Sequence, residues 1–194
     1  MRPRFSTWKG YDKGGKGLVI RSADRRDAGG FLAHTRRLVD ETIYMLKGSE
    51  DGLPDVQEQR LIFDFFQRTP TFLCLVATRP SRGLGRQPIL ASLTLTGART
   101  QRTQHAVQLG MGVLQEAWGV GIGGLILDAA LTWAHTNPIL RRVRLQVYED
   151  NVKARQLYSS RGFVEEGRMA DEVLLKERWV HLVGMSFDSS GELP

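Results

Sequence analysis

The chain has 194 residues and a formal net charge of +6, with 41% hydrophobic and 25% charged residues. That is the balance of an ordinary globular protein long enough to bury one core. No apolar run approaches the ~20 residues of a membrane span. The basic N-terminal stretch lacks the apolar block of a signal peptide, so no membrane partner is expected. The arginines are dispersed, in pairs at Arg25-Arg26, Arg36-Arg37 and Arg141-Arg142, with no basic run interleaved with aromatics. A solvated basic surface that attracts an anionic cofactor is therefore expected, and nucleic acid is not. The single cysteine, Cys74, sits in the apolar run F-L-C-L-V-A. It excludes an internal disulfide and fits a cytoplasmic setting. Nothing nearby in sequence would lower its pKa, so it reads as a core thiol and not as a nucleophile.

Residues 1–16 read as a flexible lead-in, residues 17–188 as one domain and residues 189–194 as a disordered tail. Leu18–Arg21 predicts a first strand. Ser22 or Asp24 can cap a helix carrying Phe31, Leu32, Thr35, Leu38 and Val39 at helical spacing. The Gly-, Asp- and Pro-rich segment 47–55 is a loop, and a second helix follows from Val56 until Thr69-Pro70 ends it. Three β-rich segments then follow, at Thr71–Thr78, Pro88–Thr96 and His105–Val113, joined by polar turns. They predict an antiparallel meander. A glycine-rich turn leads into a helix from Gly121 to about Thr136, with Ile122, Leu125, Ile126, Ala129, Ala130 and Trp133 on one stripe, and Asn137-Pro138 stops it. The strand Arg142–Glu149 must run parallel to its predecessor, because a helix crosses between them. A helix from Asn151 to Gly162, a short strand at Phe163–Gly167 and a final strand at Arg178–Phe187 complete the order. The result is β-α-α-β-β-β-α-β-α-β-β, a mixed sheet with helices on both faces and an α+β fold class.

Two stretches carry chemistry. In W-G-V-G-I-G-G, Trp118–Gly124, the glycines stand where a strand hands over to a helix. Glycine lets backbone amides approach a ligand, and the helix N-terminus behind it offers unpaired N–H groups to a phosphate. Gly119-x-Gly121-x-x-Gly124 literally matches the dinucleotide fingerprint. A nicotinamide-dependent oxidoreductase is therefore one alternative, although the preceding strand is polar and only one βαβ unit is evident. A turn that merely packs helix on strand is another. In the second stretch, N-V-K-A-R-Q-L-Y-S-S-R-G-F, residues Asn151, Ala154 and Tyr158 share one helix face. A small residue there leaves room for a slender ligand, with a phenol at the end of its track. An N-cap asparagine, a core alanine and a core tyrosine would explain the same spacing.

Together these stretches resemble the GNAT superfamily of N-acetyltransferases, whose signature is Arg/Gln-x-x-Gly-x-Gly/Ala followed by N-x-x-A-x-x-x-Y-x-x-x-G-F. The resemblance is strongest over His105–Gly167 and extends more weakly over Leu18–Phe187. It implies acetyl-CoA as cosubstrate, without a metal, in a cleft where the fourth and fifth strands splay apart. It also implies an amine acceptor, a small molecule or a protein amine, and is compatible with a homodimer. Carried over, Met111, Gly112 and Val113 would offer backbone bonds to the pantetheine arm. Asn151 and Ala154 would flank the arm, and Trp118, Gly119, Val120, Gly121, Ile122, Gly123 and Gly124 would seat the pyrophosphate. Trp118 stands where the family often has Arg or Gln; the backbone donors of the turn need no particular side chain. Tyr158 takes the family's general-acid position. His105 and Glu41 are candidate bases, the latter through water. Asp40, Glu41, Glu50, Asp51, Asp55 and Glu58 make the first two helices and their loop acidic, which suits a cationic amine. A family member that binds acyl-CoA as a sensor, without turnover, is the remaining alternative.

Overall fold

The computed structural model describes residues 5–46, 51–81, 83, 85–97 and 100–191. The elements are β1 (Trp8–Tyr11), β2 (Gly17–Ser22), α1 (Ala28–Glu41), α2 (Val56–Arg68), β3 (Leu73–Thr78), β4 (Ile89–Gly97), β5 (Ala106–Val113), α3 (Ile122–Thr136), β6 (Arg142–Tyr148), α4 (Val152–Ser159), β7 (Val164–Leu175) and β8 (Arg178–Asp188). The strands form one eight-stranded sheet in the order β1-β2-β3-β4-β5-β6-β8-β7. Its neighbours pair antiparallel except β5 and β6, the one parallel pair among the described strands. This is the mixed α+β architecture expected from the sequence.

Why helices cover both faces is legible in β3, which is buried throughout. Side chains alternate along a strand. Leu73, Leu75 and Ala77 join the large cluster that includes Ile126, Ala130 and Trp133 of α3, whereas Cys74 and Val76 join Phe63 of α2 in a second cluster. Cys74 is thus a core thiol, and burial pushes its pKa up. The start of α2 is fixed by a capping box. Asp55 accepts from the N–H groups of Gln57 and Glu58, and the Glu58 carboxylate accepts in turn from the N–H of Asp55. Asp24 caps a short 3-10 turn at Arg25–Asp27 that runs on into α1.

Two elements depart from the sequence expectation. The stretch read as a flexible lead-in contains β1, which forms a hairpin with β2. Of the segment read as a disordered tail, Ser189–Gly191 is described and 192–194 lies outside the described residues. The strand read as short, Phe163–Gly167, instead runs to Leu175 and pairs with β8 through two register shifts. Its hairpin turns at Lys176 and Glu177, both at positive φ (44° and 65°). That is the torsion pattern of a type I′ turn, made here without the Asn or Gly that normally signals one.

Candidate active site

The site grows from the place where β5 and β6 part. Their parallel ladder covers only Ala106↔Arg142, Val107↔Val143 and Gln108↔Arg144. Beyond it β5 runs on to Val113 and β6 to Tyr148 without pairing to each other. On its other side β5 stays paired with β4 up to Ala91↔Val113, and the N–H of Leu114 donates to Leu90 O at 2.9 Å. Inward- and outward-facing backbone groups alternate in an antiparallel ladder. Since Leu114 faces β4, so do Gly112 and Gly110, while the N–H and C=O groups of Met111 and Val113 face the open gap. Gly112, expected among the backbone donors, is thus turned toward β4. Its lack of a side chain serves another purpose, because a Cβ there would collide with Leu38 of α1.

At the end of β5 the chain makes a short 3-10 turn at Gln115–Ala117 and then the glycine turn. Gly119 and Gly121 hold φ of 75° and 84°, and Gly121 is the N-cap of α3 with no side-chain bond to the helix. The first N–H groups of α3 are therefore left for a ligand or water. Two residues on, Gly123 is where three elements converge: a Cβ there would stand 3.5 Å from Leu157 of α4, 3.6 Å from Val113 and 4.0 Å from Met111 of β5. Gap, turn and fourth helix are thus one continuous surface.

The fourth helix is held as its spacing suggests. Asn151 Oδ1 accepts from the N–H of Ala154 at 3.2 Å, and Gly162 at φ 82° ends the following turn. Tyr158 is 7% exposed, tilted against Phe163 at 5.7 Å between ring centroids, and it belongs to the main core against which Met111, Val113 and Ala154 also pack. Burial raises its pKa to about 12. Its hydroxyl has no hydrogen-bond partner among the described residues.

The other sequence candidates separate. Glu41, at the end of α1, reaches the mouth of the gap: its carboxylate accepts from the N–H of Gln115 at 2.7 Å and from Arg37, while Gln115 Nε2 donates to the Glu41 carbonyl. The Gln115 N–H, and then Arg37, hold its pKa below the ordinary range. His105 precedes β5 and is exposed; its carbonyl accepts from the N–H groups of Arg141 and Arg142, which anchor β6. It stands eight residues before Val113, roughly 26 Å along a strand at ~3.3 Å per residue. The structure does not bring it to the gap. The acidic surface of the first two helices is partly committed as well. Asp55 and Glu58 form the capping box of α2, and Glu41 is tied to Arg37 and Gln115. Glu50 lies outside the described residues.

Three contacts around the site are not evident from sequence. Trp118 donates its indole N–H to Val113 O at 2.7 Å. His34 is buried between Ile89 O (3.1 Å from Nδ1) and Ser92 Oγ (3.0 Å from Nε2), so α1 is bonded to β4 directly behind the site. The carbonyl acceptor fixes the proton on Nδ1, leaving Nε2 to accept the serine hydroxyl. Lys13, in the β1–β2 turn, donates its N–H to Val120 O at 2.9 Å. The run Tyr11-Asp12-Lys13-Gly14-Gly15 between two β-prone segments is a hairpin signal that could have revealed the last of these.

The sheet excludes a dinucleotide fold, which needs a run of parallel strands; here a single three-pair ladder is parallel. A model of the acetyltransferase (GNAT) family matches residues 48–163, more than half of the chain. Solved structures agree. An acetyltransferase of the GNAT family from Streptococcus pneumoniae superposes with a TM-score of 0.81 at 26% identity, over 88% of this chain and 99% of that one. A phosphinothricin acetyltransferase from Sinorhizobium meliloti, in complex with AcCoA, gives 0.74 at 17% identity, over 88% of each chain. A spermidine N-acetyltransferase from Vibrio cholerae, in complex with CoA and spermine, gives 0.68 at 18%, over 89% of this chain and 96% of that one. With the splayed strands, the glycine turn and the Asn–Ala–Tyr helix all in order, the chain belongs to the GNAT family of acetyltransferases.

Proposed function

We propose that the chain acetylates a primary amine with acetyl-CoA, by direct attack of the amine on the thioester while both substrates are bound. The observation that supports this reading best is the unpaired edge of Met111 and Val113, which opens beside Gly123 and the N-terminus of α3. An amide-bearing arm can pair with such an edge as an added strand does. The glycine turn and the free N–H groups of α3 suit the pyrophosphate at the arm's end. The residues present therefore fit acetyl-CoA, which supplies an activated acyl group when bound.

The chain's own groups then divide the work. The Val113 N–H faces the gap and is suited to donate to the thioester oxygen as negative charge builds there. The Val113 carbonyl, in the next peptide, is already satisfied by Trp118, so the Val113 N–H is the group of that residue left for a ligand. Glu41, at the same end of β5, can order a water that takes the proton from the incoming ammonium. The nitrogen–carbon bond forms, the carbon–sulfur bond breaks, and the nitrogen gives up its second proton to solvent through the same water, so that the product is a neutral amide. Tyr158, protonated at any working pH, donates to the departing sulfur. With the phenol at about 12 and a free thiol near ~8.5, complete transfer to sulfur would be uphill by roughly 5 kcal/mol. Tyr158 therefore acts as a hydrogen-bond donor to the thiolate, and the proton reaches sulfur from solvent after the step. The buried, unreactive Cys74 is consistent with a route that needs no covalent enzyme intermediate and with a reducing, cytoplasmic location.

The test is thiol release from acetyl-CoA across a panel of amines: a polyamine, an amino sugar, free amino acids and peptides with a free N-terminus. Amine-dependent release, with an added acetyl mass on one acceptor class, supports the reading. CoA binding without release for any amine would instead make the chain a sensor.

A further inference from the structure

In the glycine turn Trp118 stands where the family often has Arg or Gln, and W-G-V-G-I-G-G contains no Lys or Arg. The indole N–H of Trp118 is already committed to Val113 O. The turn's own sequence therefore offers a pyrophosphate no formal positive charge.

The structure brings one from elsewhere. The β1–β2 turn is pinned on both sides. The buried Asp12 carboxylate accepts from the N–H groups of Gly14 (2.9 Å) and Lys16 (3.0 Å) and pairs with Arg79 at 2.8 Å. The next residue, Lys13, donates its N–H to Val120 O at 2.9 Å, inside the glycine turn. The Lys13 side chain then lies across Gly121: its Cγ, Cδ and Cε stand 3.1–3.2 Å from where a Cβ of Gly121 would be. Lys13 is exposed and has no acidic partner among the described residues. A second cation, Arg161, lies over Gly124, but its charge is already matched by Asp128 at 3.0 Å.

We propose that Lys13 is the cation that pairs with the cofactor's pyrophosphate, delivered across the sheet by the N-terminal hairpin in place of the side chain that Trp118 lacks. This rests on the reading of the glycine turn as the seat of CoA. The stem laid over a glycine leaves the ammonium at the rim of the anion seat, and the bond to Val120 keeps hairpin and turn in register.

Calorimetric titration of CoA into the full chain tests it, using the wild type, Lys13→Met and Lys13→Arg at low and high salt. A charge-assisted contact of this kind predicts roughly ten-fold weaker binding for Lys13→Met. Lys13→Arg should stay within about two-fold of wild type, and melting temperatures should not move. Salt screens an exposed ion pair, so the gap between wild type and Lys13→Met should shrink as salt rises. Equal CoA affinity for wild type and Lys13→Met would overturn the proposal while leaving the CoA seat intact. So would a loss in Lys13→Met that is shared by Lys13→Arg and independent of salt, which marks a loosened turn. A wild type that binds no CoA would overturn the seat itself.

Discussion

Trp118 and Val113 are joined by a 2.7 Å hydrogen bond from the indole N–H to the main-chain carbonyl at the last residue of β5. The bond occupies the carbonyl at the end of the β5 edge that β6 has left free, and leaves the Val113 N–H as that residue's open group on the gap. Trp118 is 48% exposed, so the bond is partly open to water. Trp118→Phe keeps most of the ring and removes the donor. Urea unfolding should show a loss of about 1 kcal/mol, the net value of one such bond. Calorimetry should show weaker acetyl-CoA binding. Stability and affinity both unchanged would remove the bond from the account.

Gly121 is the N-cap of α3 at φ 84°, with the Lys13 stem close above it. Gly121→Glu adds backbone strain and places a negative charge against the anion seat. CoA binding should fall below detection while circular dichroism still reports a folded protein. A folded variant with normal CoA affinity would take the turn out of the site.

Tyr158→Phe should lower kcat roughly a hundred-fold, the lower range for losing a preorganised hydrogen-bond donor to developing charge, with little change in CoA affinity. Since burial holds the phenol protonated up to about 12, the wild-type kcat should rise with pH as the amine loses its proton and then stay flat through pH 10. An unchanged kcat in Tyr158→Phe would contradict the donor role, and a descending limb centred near pH 9 that vanishes in the variant would contradict the raised pKa.

His34 makes stability depend on pH. Desolvation lowers its folded pKa from 6.5 to about 4. At pH 7 both states are neutral. As pH falls through 6.5 the unfolded chain takes up a proton that the folded chain refuses, so stability drops until about pH 4. The full loss is of order 3 kcal/mol, in a window above that of the carboxylates. Urea midpoints between pH 7 and 4.5 should fall for the wild type and fall much less for His34→Leu. That variant should be less stable at pH 7, because it leaves Ser92 and Ile89 without their partner. Parallel pH curves for the two proteins would assign the effect elsewhere.

What could be read in the sequence is what is encoded locally. The glycine turn, the N-capped fourth helix and the β-rich run that forms β3 each rest on residues within a few positions of one another, and the structure has them where they were expected. Contacts across the chain were not legible. Lys13 meets Val120, and Glu41 meets Gln115, only because the sheet order brings distant segments together. His105 shares a strand with Val113, but strand membership does not reveal that the gap opens at the other end. The long β7–β8 hairpin was hidden because Lys176-Glu177 takes up positive φ without the usual residues.

The central claim is that acetyl-CoA lies along the free edge of β5 with its pyrophosphate on the glycine turn. Backbone amide NMR during an acetyl-CoA titration tests it most directly. The largest shifts are predicted at Met111, Val113, Gly121 and Gly123, with His105 unmoved. Saturable shifts that cluster elsewhere, with those four amides unchanged, would contradict it.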